Sequence, residues 1–209
     1  MDVKHAYNVW ADQYDSNDNK TRDLEEKALR EILSRNHFKN CLEIGCGTGK
    51  NTGFLVTVCD HVTAIDLSDA MLEKAKSKLA GSNVEFHQAD ILADWKFADG
   101  KYDLVTFSLV LEHIEDLHIV FKKVKEVITD NGIVYIGELH PFKQYTGTKA
   151  RFDTEEGRHV VTCFNHNISD FILSAKANGF ALSELNEYFD NDDRSDIPRI
   201  LTLVIRKNL

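Results

Sequence analysis

The residues best suited to chemistry stand at the ends of short apolar runs. Cys41-Leu42-Glu43-Ile44 leads into Gly45-Cys46-Gly47-Thr48-Gly49, and glycines at a strand-to-helix turn let backbone approach a ligand closely. A dinucleotide fingerprint needs glycine at its first, third and sixth positions, whereas here the sixth is Lys50 and the third glycine comes one residue early at Gly49. That weakens an NAD-dependent reading. A Walker phosphate loop fails as well, because Lys50 follows Gly45 by five residues without a Lys-Ser/Thr pair. Glu43 is the second clue, since a carboxylate near the end of a doubly covered strand is costly to bury unpaired. A cationic ligand group would compensate it and a pyrophosphate would be repelled; the alternative role is to cap backbone amides of the adjacent turn.

Two further acids close the next apolar runs. Asp66 stands 17 residues after Gly49, where an acid in such folds accepts hydrogen bonds from ribose hydroxyls. Ser68, before Asp69-Ala70-Met71, is the better helix cap and leaves Asp66 for a ligand. Asp90, followed by Ile91, suits the amino edge of a purine sandwiched by an apolar neighbour, although such a residue alone also fits a turn. Glu138-Leu139-His140-Pro141 puts two ionisable groups after another run. His140 is the candidate general base or orienting group for an acceptor, with Glu138 to tune it; a solvated loop histidine is the alternative. Cys46 has no base at a fixed spacing and reads as a small loop residue.

These positions require a particular scaffold. Apolar runs at Cys41–Ile44, Val62–Ile65, Val84–Phe86, Tyr102–Leu109 and Ile133–Ile136 alternate with segments whose apolar residues recur three and four apart, such as Leu117, Val120, Phe121, Val124 and Ile128. That pattern predicts a doubly wound, Rossmann-like α/β fold with a mostly parallel seven-stranded sheet. Further strands are expected at Val160–Phe164, Ala181–Tyr188 and Ile200–Ile205. The last two form a C-terminal antiparallel hairpin across the acidic turn Asp190–Asp196, which reads as a solvated tip rather than a calcium loop. Two helices precede the first strand, Val3–Tyr14 and Leu24–Leu33, the first carrying Tyr7, Trp10 and Tyr14 at helical spacing. Residues 140–159 show little periodicity and read as a candidate substrate loop.

Four marks occur in order: Glu43-Ile44-Gly45-Cys46-Gly47-Thr48-Gly49, Ala64-Ile65-Asp66-Leu67-Ser68 with Met71-Leu72, Gln88-Ala89-Asp90-Ile91, and Tyr102-Asp103-Leu104-Val105. Together they resemble the class I S-adenosylmethionine-dependent methyltransferases, in the type 11-like branch that acts on small molecules, over nearly the whole chain. The resemblance implies that Gly45, Cys46 and Gly47 lie against the amino-acid end of S-adenosylmethionine, that Asp66 holds the ribose with Leu67 and Met71 nearby, and that Asp90 and Ile91 take the adenine. Ser108 to His113 would flank the methionine portion. The opening Tyr7-Asn8-Val9-Trp10-Ala11-Asp12-Gln13-Tyr14 is similar to a helix that closes over the cofactor in that branch, which makes Trp10 and Tyr14 lid residues. One departure matters: Phe107-Ser108-Leu109-Val110-Leu111 stands where methylators of base or glutamine amines carry Asn/Asp-Pro-Pro-aromatic. The implied activity is methyl transfer to a small-molecule acceptor at oxygen, nitrogen or carbon, releasing S-adenosylhomocysteine. The alternative is a non-catalytic S-adenosylmethionine sensor or accessory subunit.

Composition agrees. The chain has 209 residues, 43% of them hydrophobic, and a formal charge of −9, which argues against a nucleic-acid partner. The expectation is one domain, 1–209, with N-terminal lid helices over 1–36, as a monomer or homodimer. No run of apolar residues has the length of a signal peptide or a membrane span. Cys41, Cys46, Cys59 and Cys163 form no C-x-x-C pair and read as reduced thiols in a cytoplasmic protein. Nine histidines show no metal-ligand spacing, with His113 and His118 five apart, so no metal is expected.

Overall fold

The computed structural model describes residues 1–154 and 157–208. In chain order the elements are α1 (Val3–Tyr14), α2 (Lys20–Leu33), β1 (Phe38–Ile44), α3 (Thr52–Val58), β2 (Cys59–Asp66), α4 (Asp69–Lys78), β3 (Val84–Gln88), β4 (Tyr102–Ser108), α5 (Leu117–Val127), β5 (Ile128–Leu139), α6 (Pro141–Tyr145), β6 (Arg151–Thr154), β7 (Gly157–Val160), α7 (Ile168–Ala177), β8 (Phe180–Tyr188) and β9 (Ile200–Lys207). Seven strands form one sheet in the order β3-β2-β1-β4-β5-β9-β8. β1 to β5 pair in parallel and β9 runs antiparallel between β5 and β8. The expected terminal hairpin therefore supplies the one reversed strand of the sheet.

Side-chain alternation along the strands builds a core on each face. Leu42, Ile44, Val105, Phe107, Val134 and Ile136 meet Val120, Phe121 and Val124 of α5 and Phe171 of α7 on one side. Cys41, Leu104, Ile133 and Tyr135 meet Leu29, Ile32 and Leu33 of α2 and Leu55 of α3 on the other. α2 is thus a structural layer of the sheet, and α1 alone covers the carboxyl edge, through Ala6, Trp10 and Ala11 against Met71 of α4 and Phe152 of β6. The chain steps outward from β1 through β2 to β3 and then returns to the far side of β1 as β4. The crossovers after β1 and β4 diverge there, leaving a crevice at the carboxyl edge.

Two expectations are corrected. Residues 140–159 contain α6 and the β6–β7 hairpin rather than an aperiodic loop, although 155 and 156 of that span lie outside the described residues. Val160–Phe164 is not a strand: β7 ends at Val160. The apolar residues there, Phe152 and Val161, pack against α1 instead of entering the main sheet, so the segment's pattern reflects a small satellite core.

His140 is also corrected as the acceptor's base. Its side chain is 0% exposed. Nδ1 accepts the Phe142 N–H at 3.1 Å and caps α6, while Nε2 faces Glu187 at 3.0 Å on β8. Burial lowers its pKa, opposed by Glu187, so the ring is held as a neutral structural joint between β5, α6 and β8. His140→Ala is expected to cost about 1–2 kcal/mol of unfolding free energy, the range for losing a helix cap, measured by urea denaturation. A change below about 0.3 kcal/mol would contradict this role.

Candidate active site

Three adjoining cavities open at the crevice. The first, about 210 Å³, is lined by Gly45, Gly47, Asp66, Leu67, Asp90, Ile91, Ser108 and His113, with Tyr7 and Tyr14 from α1. The second, about 50 Å³, collects Glu43, Cys46, Gly45 and Gly47 with Tyr14, Arg22, Glu25 and Ser108. The third, about 300 Å³, is bounded by Tyr7, Trp10, Tyr14, Leu109 and Glu112 and by basic residues of α2 and β6. Of the sequence-derived site residues, Met71 stands apart: it is fully buried beneath α1, in the core that holds the lid to α4. Trp10 borders the third cavity, stacked on Phe152 at 5.1 Å between ring centroids, rather than the first.

The glycine loop is shaped by its neighbours. Gly45 has φ +75°, and a Cβ there would fall 2.2 Å from Val110 Cγ2, so only glycine lets the turn after β4 lie on the loop. Gly47, at φ +53°, has nothing within 4 Å of where a Cβ would be; its open side faces the cavities. Asp66 accepts the Gly47 N–H through one carboxylate oxygen and the Ser68 N–H through the other, each at 2.8 Å. Burial raises its pKa, opposed by these amides. Ser68 caps α4 through the Met71 N–H, as expected. Asp90 Oδ1 accepts the Leu92 N–H at 2.8 Å, a turn bond that orients its carboxylate on the cavity wall.

The turn after β4 is held from β5. Glu138, rather than tuning His140, accepts the N–H groups of Val110 and Leu111 at 3.0 and 2.8 Å. Leu109 N–H bonds the Gly137 carbonyl at 2.8 Å, and Leu109 has φ +57°, a conformation costing roughly 1–3 kcal/mol for a residue with a side chain. Leu109 and Tyr14 line all three cavities. The strained residue therefore stands at their junction.

Carboxyl groups crowd this edge. Glu43 is buried and accepts the Thr52 hydroxyl at 2.6 Å; Glu25 accepts the Asn51 amide at 2.8 Å and the Tyr135 hydroxyl at 3.0 Å. Burial pushes Glu43 and Glu138 up to about 8 and Glu25 to about 7. Arg22 is the counterweight that the sequence reading missed. Nine-tenths buried, it lies over the Tyr14 ring at 4.0 Å, bonds the carbonyls of Tyr14 and Asn17, and leaves its Nε–H without a partner. A single arginine on an amphipathic helix carries no sequence signal for this.

α1 is tied down by polar contacts. Tyr7 hydroxyl lies 2.9 Å from His113 Nε2, while His113 Nδ1 lies 2.8 Å from the Thr162 carbonyl. Nδ1 must carry the proton for that second bond, leaving Nε2 to accept from Tyr7. Burial raises the Tyr7 and Tyr14 hydroxyls, Tyr14 to about 12, so both remain donors at neutral pH. Glu112, His113 and Cys163 bring ligand atoms within 4.8 Å of one another, although the Cys163 thiol is pushed up to about 12, mainly by burial. Asn8 accepts the Ser68 hydroxyl, and Asp15 joins Thr48 of the glycine loop to Lys78 of α4.

The raised carboxyls have a consequence for stability. Each holds its proton in the fold at pH values where the unfolded chain, with carboxyls near 4.3, has lost it. Their contribution is fully present below about pH 4 and is lost as pH rises through about 7 to 8. Glu43→Gln is therefore expected to flatten the fall in thermal midpoint between about pH 5 and 8.5 relative to the parent, followed by circular dichroism. An unchanged slope would show that Glu43 titrates normally.

Comparison with known proteins follows the same lines. Residues 42–136 match the family described as a methyltransferase domain. An uncharacterised methyltransferase of Emericella nidulans is 23% identical, the alignment covering 89% of this chain and 78% of that protein. The ubiquinone biosynthesis O-methyltransferase of Aromatoleum aromaticum is 31% identical over 51% of this chain, and the match spans only 47% of that protein. The solved DhpI-SAM-HEP complex is 25% identical with a TM-score of 0.75, covering 96% of this chain and 94% of the other. The family match falls on the glycine loop, Asp66, Asp90 and β4, the segments that enclose the first two cavities. Over residues 42–136, a little under half of its length, the chain matches the methyltransferase-domain family, and its fold is that of the solved S-adenosylmethionine-dependent methyltransferases.

Proposed function

We propose that the chain transfers the methyl group of S-adenosylmethionine to a small-molecule acceptor admitted through the third cavity. The observation that carries this reading is the opposed polarity of the adjoining cavities around Tyr14 and Leu109. The residues present suit the cofactor. Gly47 leaves open space at the loop, where a ligand can lie against backbone. Asp66 has oxygens with spare acceptor capacity for ribose hydroxyls, and Asp90 with Ile91 offers an acceptor beside an apolar wall for adenine. Around the second cavity Glu43 and Glu25 offer acceptor oxygens whose ionisation, disfavoured by burial, an ammonium would restore, while the unpaired Nε–H of Arg22 favours a carboxylate. Lys50 is already engaged by Asp23 and Glu26.

When bound, S-adenosylmethionine supplies an electrophilic methyl on its sulfonium and leaves as neutral S-adenosylhomocysteine. The chain's own part is to orient and to exclude water. Tyr7 and Tyr14, held as neutral donors on α1, cover the junction, and Trp10 and Phe152 close its outer side. Leu109, fixed by Gly137 and Glu138, keeps the turn after β4 against the loop. A cavity of about 300 Å³ suits a small molecule rather than a polymer.

Titration calorimetry tests the cofactor assignment. Asp66→Ala removes hydrogen bonds worth about 1.5–3 kcal/mol each and is expected to weaken S-adenosylmethionine binding at least about tenfold while circular dichroism stays unchanged. Unaltered affinity would sink the ribose assignment. Incubation with S-adenosylmethionine and a metabolite extract is expected to release S-adenosylhomocysteine above a no-extract control; tight binding without release would favour a sensor.

A further inference from the structure

We propose that the acceptor carries an anionic group, phosphoryl or carboxylate, seated on a cationic wall of the third cavity; this rests on the methyl-transfer reading and names its substrate class. Lys20 at the start of α2, Lys149 and Arg151 at the entry to β6, and Arg199 just before β9 converge there from three separate segments. The acids on the same lining are Asp18 and Glu112. Cations outnumber acids here on a chain whose overall charge is −9.

The state of these cations is the second observation. Some basic side chains elsewhere are matched to carboxylates, as Lys50 is to Asp23, Lys78 to Asp15 and Lys207 to Asp130, and others stand singly, whereas here several are gathered on one cavity. Among the described residues, Lys20, Lys149 and Arg151 have no carboxylate within ion-pair distance. Arg199 is held by Asp190 and by the Thr21 hydroxyl, which fixes its guanidinium at the cavity wall. Behind them Arg22, whose free Nε–H is assigned to the cofactor side, is nine-tenths buried and also borders this cavity, adding its charge to the wall. Glu112 opposes them weakly, because burial raises its pKa toward the neutral form.

Geometry gives the wall a purpose. Tyr7, Tyr14 and Leu109 mark where this cavity meets the first one. An anion held at the basic end would fix the acceptor's far side and present its nucleophilic atom to that junction, turning binding energy into orientation. Like-charged neighbours lacking counterions are stabilised by such a ligand, and partly enclosed ionic hydrogen bonds are stronger than exposed ones.

The test uses simple probes on the whole chain, loaded with S-adenosylhomocysteine: methylphosphonate, acetate and the neutral acetamide, each followed by amide NMR shifts. One or both anions are expected to move the Lys20 and Lys149–Arg151 amides saturably, more weakly at high salt, and acetamide is not; the tighter anion names the group. Lys149→Gln with Arg151→Gln is expected to weaken the anion about tenfold or more and to leave S-adenosylhomocysteine affinity within about twofold. Equal binding of acetamide, or anion affinity unchanged in the double variant, overturns the proposal. Failure of S-adenosylhomocysteine to bind would count against the methyl-transfer reading instead, and the anion titration on the free protein would then decide the cationic wall by the same criteria.

Discussion

Burial of carboxyl groups at the carboxyl edge of a doubly covered sheet is the constraint on which this molecule's site depends. Glu25, Glu43 and Glu138 are all beyond the reach of solvent, where an ionised carboxylate is costly. Their direct partners are neutral: the Thr52 and Tyr135 hydroxyls, the Asn51 amide and the backbone of Val110 and Leu111. Neutral donors satisfy hydrogen bonds without cancelling charge. Burial therefore holds these carboxyls toward their protonated forms, and the same bonds fix α2, α3 and the turn after β4 in place. Gly137 belongs to this arrangement, since a Cβ there would fall 2.5 Å from Glu25 Oε1 and 2.6 Å from the Tyr135 hydroxyl oxygen.

Across Tyr14 the polarity reverses. One side of the ring faces the carboxyl cluster, and the Arg22 guanidinium lies over it. The third cavity collects the cations of α2 and β6. The adjoining cavities thus present different groups within one crevice, buried carboxyls on one side of Tyr14 and basic side chains on the other. α1 lies over both, burying Ala6, Trp10 and Ala11 against Met71, Phe152 and Val161, with hydrogen bonds at Tyr7, Asn8 and Asp15 and ion pairs of Lys4 and Asp12 with α4.

Much of the glycine loop and of the strand ends around it was legible in the residues because its signals are local. Gly45 and Gly47 occupy left-handed backbone at the end of a strand, Asp66 and Asp90 follow the next two strands, and Ser68 caps a helix. Each is a strand end followed by a turn, and parallel pairing brings every such end to one edge. His140 was misread by the same logic: it does follow β5, but Glu187 of β8 and the Phe142 amide claim its ring. Position along a strand fixes the edge on which a residue emerges, whereas the direction of its side chain depends on what packs beside it. Met71 erred likewise, sharing a helix turn with Ser68 while facing α1.

Hydrophobic period and backbone conformation are properties of neighbouring residues, so the alternation of strands and helices, the glycine loop and the acids after β2 and β3 can be read along the chain. Which distant groups meet is settled by the folded arrangement. Lys20, Lys149, Arg151 and Arg199 share a cavity across nearly the whole chain, Arg22 lies over Tyr14, and Glu138 holds a turn 27 residues away. Those contacts follow from the order of crossovers and from α1 folding over the edge, and no periodicity in a linear chain encodes them.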